Sequence, residues 1–262
     1  MVIAMVSNTP LVSVITPTFN SSGFIAETIQ SVVAQTYTNW EMIIVDDCST
    51  DNTVEIVKEY QDKDDRIHLY ELEQNSGSAI ARNTAMDYAK GRYIAFLDSD
   101  DLWLPEKLDK QLSFMKEKDI AFSFTKYIRI LEDGTKTNAV STTPASVNYD
   151  DLMKRCVIGC LTVMLDRDKI GEMRMVNIRT RQDYAFWLQI TKKGYLAYGL
   201  PEILSEYRLV DNSISSNKWK AAKRNWYVFR EIEKQSLIKS MYYFTHYVIR
   251  SLMDLWKWKT KR

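Results

Sequence analysis

Four short apolar runs, each followed by an amphipathic stretch, constrain this chain more than any other feature. They span residues 11–16, 40–45, 67–70 and 93–97, at intervals of 25 to 30 residues. The last, Tyr93-Ile94-Ala95-Phe96-Leu97, is almost continuously apolar, as a central strand buried on both faces must be. Between the runs, apolar positions recur at helical spacing: Phe24, Ile25, Ile29, Val32 and Val33, then Val54, Ile56, Val57 and Tyr60. Strand alternating with helix at this period predicts an α/β fold, a mostly parallel central sheet with helices on both faces. Pro17 is expected to end the first strand, and Gly91 the helix before the fourth.

The second half is less regular. A helix is expected over 106–118, a longer strand over 121–130 and a short helix over 149–156. A strand is expected over 161–165 and a helix over 183–192. Residues 135–148 are polar and patternless and read as a mobile loop. Strand material over 195–209 should be broken by Pro201. From Lys218 the chain reads as one or two long helices, with Leu237, Met241, Phe244, Val248, Leu252 and Leu255 forming an apolar stripe. With no repeat and no clean linker, the reading is one compact unit, 1–217, carrying a helical tail, 218–262.

Composition excludes several classes. Apolar residues make up 45% and charged residues 26% of the 262, which is globular and not disordered. No window reaches a bilayer-spanning apolar length, and the first residues lack the form of a cleaved signal. Three cysteines and two distant histidines favour neither a disulfide framework nor a zinc site, and a reducing compartment is expected. Charge is uneven: residues 211–262 hold 12 basic and 4 acidic side chains. A basic, aromatic tail suits an anionic membrane surface. Nucleic acid would be a second reading and an ordinary packed helix a third.

In open parallel sheets, ligands bind beyond the carboxyl ends of the strands. Asp46-Asp47 ends one strand and Asp98-Ser99-Asp100-Asp101 follows another, so the two acidic pairs, 52 residues apart, should share a crevice. Three carboxylates in four residues repel one another, and a hard divalent cation would relieve that. Capping and solvent-facing roles remain open for both clusters on local grounds. No G-x-G-x-x-G, G-x-x-x-x-G-K-[ST] or G-x-S-x-G is present, which disfavours dinucleotide enzymes, P-loop proteins and serine hydrolases.

Taken together, four stretches resemble the family 2 glycosyltransferases of GT-A fold: Val12 to Asn20, Ile44 to Asp51, Asn75-Ser76-Gly77 with Ala81-Arg82-Asn83, and Ala95 to Asp101. A looser match runs through Arg181-Gln182-Asp183 to Leu188, then Tyr207-Arg208 and Asn212 to Ser215, similar to bacterial enzymes of capsule, lipopolysaccharide or teichuronic-acid synthesis. The resemblance implies a nucleotide-binding half, 1–105, and an acceptor-binding half, 106–217. It implies that Thr16, Pro17 and Phe19 border the base and ribose, that Asp46 with Asp47 beside it meets the nucleotide, and that Arg82 lies nearby. Asp98 and Ser99 would lie by the ribose, Asp100 would hold Mn²⁺ or Mg²⁺ between the phosphates, and Asp183 would be the catalytic base. Trp103, Gln182 and Arg208 are candidate phosphate or acceptor contacts. The family often has Glu-Asp where this chain has Gln182-Asp183.

The expected chemistry is a single inverting displacement from a nucleotide sugar, with UDP the favoured nucleotide. The acceptor would be a growing cell-surface glycan, such as a polyprenyl-diphosphate-linked one. That places the enzyme in the cytoplasm, peripheral on the inner face of the membrane, with no nucleic-acid partner. The rival readings are a nucleotidyltransferase, disfavoured because the loop after the first strand has no basic residue, and an inactive binding scaffold.

Overall fold

A computed structural model describes residues 9–210 and 218–259. The nucleotide half contributes β1 (Val12–Thr18), α1 (Ile25–Val33), β2 (Trp40–Asp46), α2 (Thr53–Gln61), β3 (Ile67–Glu71), α3 (Ser78–Tyr88), β4 (Tyr93–Phe96) and β5 (Leu102–Trp103). There follow α4 (Lys107–Glu117), β6 (Phe122–Ile130), β7 (Lys136–Val140), β8 (Ser146–Val147), α5 (Tyr149–Lys154), β9 (Met164–Asp166), α6 (Arg167–Ile170), α7 (Gln182–Lys192) and β10 (Ala197–Arg208). The tail forms α8 (Lys218–Tyr227), a wide π turn over Val228–Ile232, and α9 (Leu237–Lys259).

Among the described residues the strands form one sheet in the order β3-β2-β1-β4-β9-β6-β10-β5, with β7 on β6 and β8 on β10. β1 is parallel to both β2 and β4, and β2 to β3, whereas β9 is antiparallel to β4 and β6. Alternate residues of β2 serve opposite faces, as the pleat requires. Ile43 and Val45 join a cluster with Phe96, Phe122 and Trp187, while Met42 and Ile44 join one with Ile25, Ile29, Val57 and Leu108.

Four expectations need correction. Pro17 does not end β1, which continues to Thr18; β4 pairs only with Val12 to Ile15, so Pro17 lies where no β4 partner needs its missing N–H. Residues 135–148 are not structureless: β7 and β8 are edge strands, and edges carry polar residues on both faces. Pro201 does not break β10, which runs through it with a register shift between Leu200 and Ile203. The 161–165 strand is short, because Cys160–Thr162 forms a 3-10 turn before β9.

The start of the tail belongs to the body. Val228 and Phe229 are buried in the main core. Glu233 accepts from Tyr149 Oη (2.6 Å) and Lys192 Nζ (2.9 Å), and Tyr243 Oη donates to Asp150 (2.9 Å). The predicted stripe divides accordingly. Phe244 packs inward on Trp226, while Leu237, Met241 and Val248 are exposed; the side chains of Leu252 and Leu255 lie outside the described ones.

Candidate active site

The loop after β1 ties the two acidic turns together. On one side Asn20 N donates to Ser49 Oγ and Thr50 N to Asn20 Oδ1 (both 2.8 Å). Ser21 N donates to Thr53 Oγ1 (2.8 Å) and Ser22 N to Asp51 Oδ2 (3.1 Å). On the other side Ser21 Oγ and Ser99 Oγ share a hydrogen bond of 2.8 Å, and Thr28 Oγ1 donates to the carbonyls of Ser99 and Asp101 (both 3.0 Å). The crevice beyond β1, β2 and β4 is thus braced by polar side chains of short reach.

Asp46, 1% exposed, accepts from Ser49 N (2.7 Å) and Ser49 Oγ (2.5 Å). Asp47 accepts from Ser76 N (2.6 Å) and Gly77 N (2.8 Å), which fixes the entry to α3. Gly77 has φ 90°, a left-handed conformation that glycine adopts without a Cβ penalty. Thr16 and Thr18 have buried hydroxyls with no protein partner, and Phe19 at the strand's end is exposed. Buried unpaired hydroxyls are uncommon in folded proteins.

Arg82, on α3, pairs with Asp98. Burial opposes its charge, but Asp98 more than sustains it. Its Nε and Nη1 are buried without partners. Asp100 has no ion pair among the described residues; burial, then the neighbouring Asp98, push its carboxyl up to about 6. Asp101 is buried and accepts from Arg208 N (2.9 Å), and burial drives its carboxyl well above the usual range.

Arg208 clamps this turn from the end of β10. Its Nε donates to the Asp100 carbonyl (2.9 Å), Nη1 to the Glu132 carbonyl (2.6 Å) and Nη2 to Glu27 (2.5 Å). At 2% exposure it holds the acidic turn in place, and its donors face protein groups where a phosphate contact had been expected. Trp103 is also internal: its indole donates to the Leu161 carbonyl (2.8 Å), and Lys107 Nζ sits 3.9 Å from the ring. At 3% exposure it packs in the core cluster with Leu108 and Leu161.

Among the described residues no group of three or more acidic, His or Cys side chains forms a ready-made cation cage. The donor set nevertheless fits a hard divalent ion that keeps substrate oxygens as ligands. Asp98 is held by Arg82 and Asp101 by Arg208, which leaves Asp100 as the one unpaired carboxylate of the turn. Magnesium-type sites commonly use one or two carboxylates and complete the shell with phosphate.

Asp183 stands in the first turn of α7, half-buried, with no hydrogen bond or ion pair among the described residues. Gln182 beside it donates from Nε2 to Ser78 Oγ (2.7 Å), while its Oε1 is buried and unpaired. The helix is anchored by Trp187, whose ring lies 5.5 Å from that of Phe96 and 5.3 Å from that of Phe122. The Gln182–Ser78 bond ties α7 to α3, and Arg82 of α3 pairs with Asp98, so α3 joins the acidic turn to α7. Burial, then Asp183, push the Cys156 thiol up to about 11, and burial drives the Cys160 thiol well above its usual range, which disfavours the reactive thiolate at both.

Several site residues carry no signal in the sequence. Thr18 ends the strand within the first motif and Ser21 lies just beyond that motif, and neither stands out from its neighbours in the sequence. Asn83 pins the loop before α7, exchanging hydrogen bonds with Met175 N (2.8 Å) and Met175 O (2.9 Å). That exchange crosses 92 residues of chain, beyond any local pattern.

Comparison with known proteins agrees with this architecture. Residues 13–169, more than half of the chain, match the sequence profile of the family described as Glycosyl transferase family 2. The Bacillus subtilis protein TuaG, whose name assigns it to teichuronic acid biosynthesis as a glycosyltransferase, is 56% identical over 91% of this chain and 94% of its own length. The Escherichia coli UDP-Glc:α-D-GlcNAc-diphosphoundecaprenol β-1,3-glucosyltransferase WfgD is 42% identical over 91% of this chain and 92% of its own. Among solved structures, residues 1–349 of Staphylococcus aureus TarS in complex with UDP superpose with a TM-score of 0.67 at 21% identity, covering 90% of this chain and 70% of that one, and share the GT-A fold. On these grounds the chain is a glycosyltransferase and belongs to glycosyl transferase family 2.

Proposed function

We propose that this enzyme moves a sugar from a UDP-sugar to a hydroxyl of a lipid-diphosphate-linked glycan in cell-envelope polymer synthesis, with inversion at the anomeric carbon. The observation that carries the reading is the Asp183 carboxylate, unpaired among the described residues, on a helix tied to α3 by Gln182 and Ser78, while Arg82 of α3 pairs with the acidic turn that holds Asp100. Relatives named for teichuronic acid synthesis and for a diphosphoundecaprenol acceptor support the polymer and acceptor classes.

In this reading Thr16, Pro17, Phe19, Asp46 and Asp47 build the uridine pocket, with Asp47 acting through the loop it holds. Asp98 and Ser99 lie along the ribose, and Arg82 offers its two free donors to the donor's charged groups. Asp100 holds Mn²⁺ or Mg²⁺, which when bound would offset charge on the leaving diphosphate. Asp183 accepts the proton of the attacking hydroxyl as the new bond forms; an alcohol is a weak nucleophile unless a base takes that proton. One base suffices for a single displacement, so the product is inverted.

Residues 1–105 would then form the donor half, 106–217 the acceptor half and 218–262 a membrane-facing tail on the cytoplasmic side. Among the described residues no helix is long and apolar enough to cross a membrane. On α9, however, Ile238 (78% exposed), Met241, Tyr242, Ile249 and Met253 stand in solvent at spacings of three, one, seven and four residues, which is one side of a helix. An apolar face on a basic tail suits a lipid surface.

Calorimetry with UDP-glucose, UDP-galactose, UDP-GlcNAc and UDP-glucuronate, each with Mn²⁺, with Mg²⁺ and with EDTA, tests the donor site. One UDP-sugar should bind in the presence of metal and lose about tenfold or more in affinity in Asp100→Ala. If no nucleotide sugar binds the folded protein with metal present, the reading is wrong.

A further inference from the structure

Two residues before Asp183, Arg181 has no ion pair among the described residues. Arg181 caps α7 with φ 67° and ψ 16°, a left-handed conformation that costs a non-glycine residue about 1–2 kcal/mol. Such strain persists when the position has a task. The loop leading to it is pinned by the Asn83–Met175 exchange, so the strained residue is held in place. Of the three arginines in that loop, Arg174 pairs with Asp87, whereas Arg179 and Arg181 have no ion pair among the described residues. Gln182, between Arg181 and Asp183, brings no charge, and its buried Oε1 is itself without a donor. Arg181 and Asp183 both act on the Cys156 thiol, which places the two charges around one side chain.

We infer that Arg181, with Arg179 beside it, forms an anion subsite that holds the diphosphate of the acceptor while Gln182 Oε1 accepts a hydroxyl of the acceptor sugar. The inference rests on the proposed acceptor class. When the acceptor is a single sugar on a lipid diphosphate, its attacking hydroxyl and its phosphate are carried by different carbons of one ring. With the hydroxyl on Asp183, the diphosphate stays within one sugar of that carboxylate, and Arg181 is the cation two residues before it at the start of α7. Guanidinium groups suit this ligand because they give paired, parallel hydrogen bonds to phosphate oxygens.

Two acceptors with the same sugar and the same aliphatic chain, one joined through a diphosphate and one as an uncharged glycoside, test it with the full chain. Wild type should prefer the diphosphate. Arg181→Gly and Arg181→Ala should raise KM for the diphosphate acceptor about 10- to 100-fold and collapse that preference, and Arg181→Lys should restore part of it. Arg181→Gly should keep or raise the Tm, since glycine adopts φ 67° freely, so the loss cannot be ascribed to unfolding. Equal losses on both acceptors, or an unchanged KM for the diphosphate, would overturn the subsite. A wild-type enzyme that binds its UDP-sugar yet turns over neither acceptor would refute the acceptor class and the subsite with it.

Discussion

The aspartates of the crevice divide by who satisfies them. Asp46, Asp47 and Asp101 each take backbone N–H donors and so build the frame. Asp51 belongs with them: burial raises its carboxyl, but hydrogen bonds from Thr53 and Ser22 outweigh burial and lower it to about 2. A carboxyl depressed on folding lends stability above its ordinary value of 3.8, and that share is lost as pH falls toward 2. Urea midpoints should therefore drop more steeply between pH 4 and pH 2 in wild type than in Asp51→Asn, which itself should be about 1–2 kcal/mol less stable at pH 7. Parallel slopes would show that Asp51 carries no linked proton. Asp100 and Asp183 are unpaired among the described residues. Asp100 was legible in an acidic turn after an apolar strand, whereas Asp183 was marked only by the family resemblance. The frame was not legible: Arg208 reaches Asp101 across 107 residues, and only the folded chain brings them together.

At the level of elements, the strongly periodic pieces were readable and the weakly periodic ones were not. β1 to β4 and α1 to α4 follow from apolar spacing because each buries a continuous face. β7 and β8 escape that logic: β7 has no buried face to announce it, and β8 is two residues long with Val147 alone buried, too short to show a period. α7 ties element to site. Trp187, fully buried against Phe96 and Phe122, fixes the helix that presents Asp183. Trp187→Ala should cost about 3–5 kcal/mol by chemical denaturation. A loss below about 1 kcal/mol would mean that the helix is held elsewhere.

α9 makes its own prediction. Because Val228, Phe229 and Glu233 are core residues, cutting the tail at 217 would damage the body, and point changes are the cleaner test. Ile238→Glu with Ile249→Glu should abolish flotation with anionic liposomes while leaving Tm within about 2 °C, as expected of exposed positions. Equal flotation of variant and wild type would dismiss the lipid-facing role.

For the molecule as a whole, one sheet gathers a braced acidic crevice, a helix that presents a free carboxylate, and a tail with an apolar outer side. A scaffold that had lost activity would have no need to keep Asp100 and Asp183 unpaired at half-buried positions. The proposed division into donor and acceptor halves would follow the same logic: the acidic turns come from 1–105, and Asp183 with its arginine-bearing loop from 106–217.

The most direct test is the stereochemistry of transfer. Wild type is incubated with the UDP-sugar that it binds, divalent metal and a lipid-diphosphate-linked sugar, and the new anomeric linkage is read by NMR. The expected product has the configuration opposite to the donor's, and Asp183→Asn should lower kcat by about 10²- to 10⁴-fold while UDP binding persists. Retained configuration, or an Asp183→Asn enzyme of near wild-type rate, would contradict a single displacement driven by Asp183.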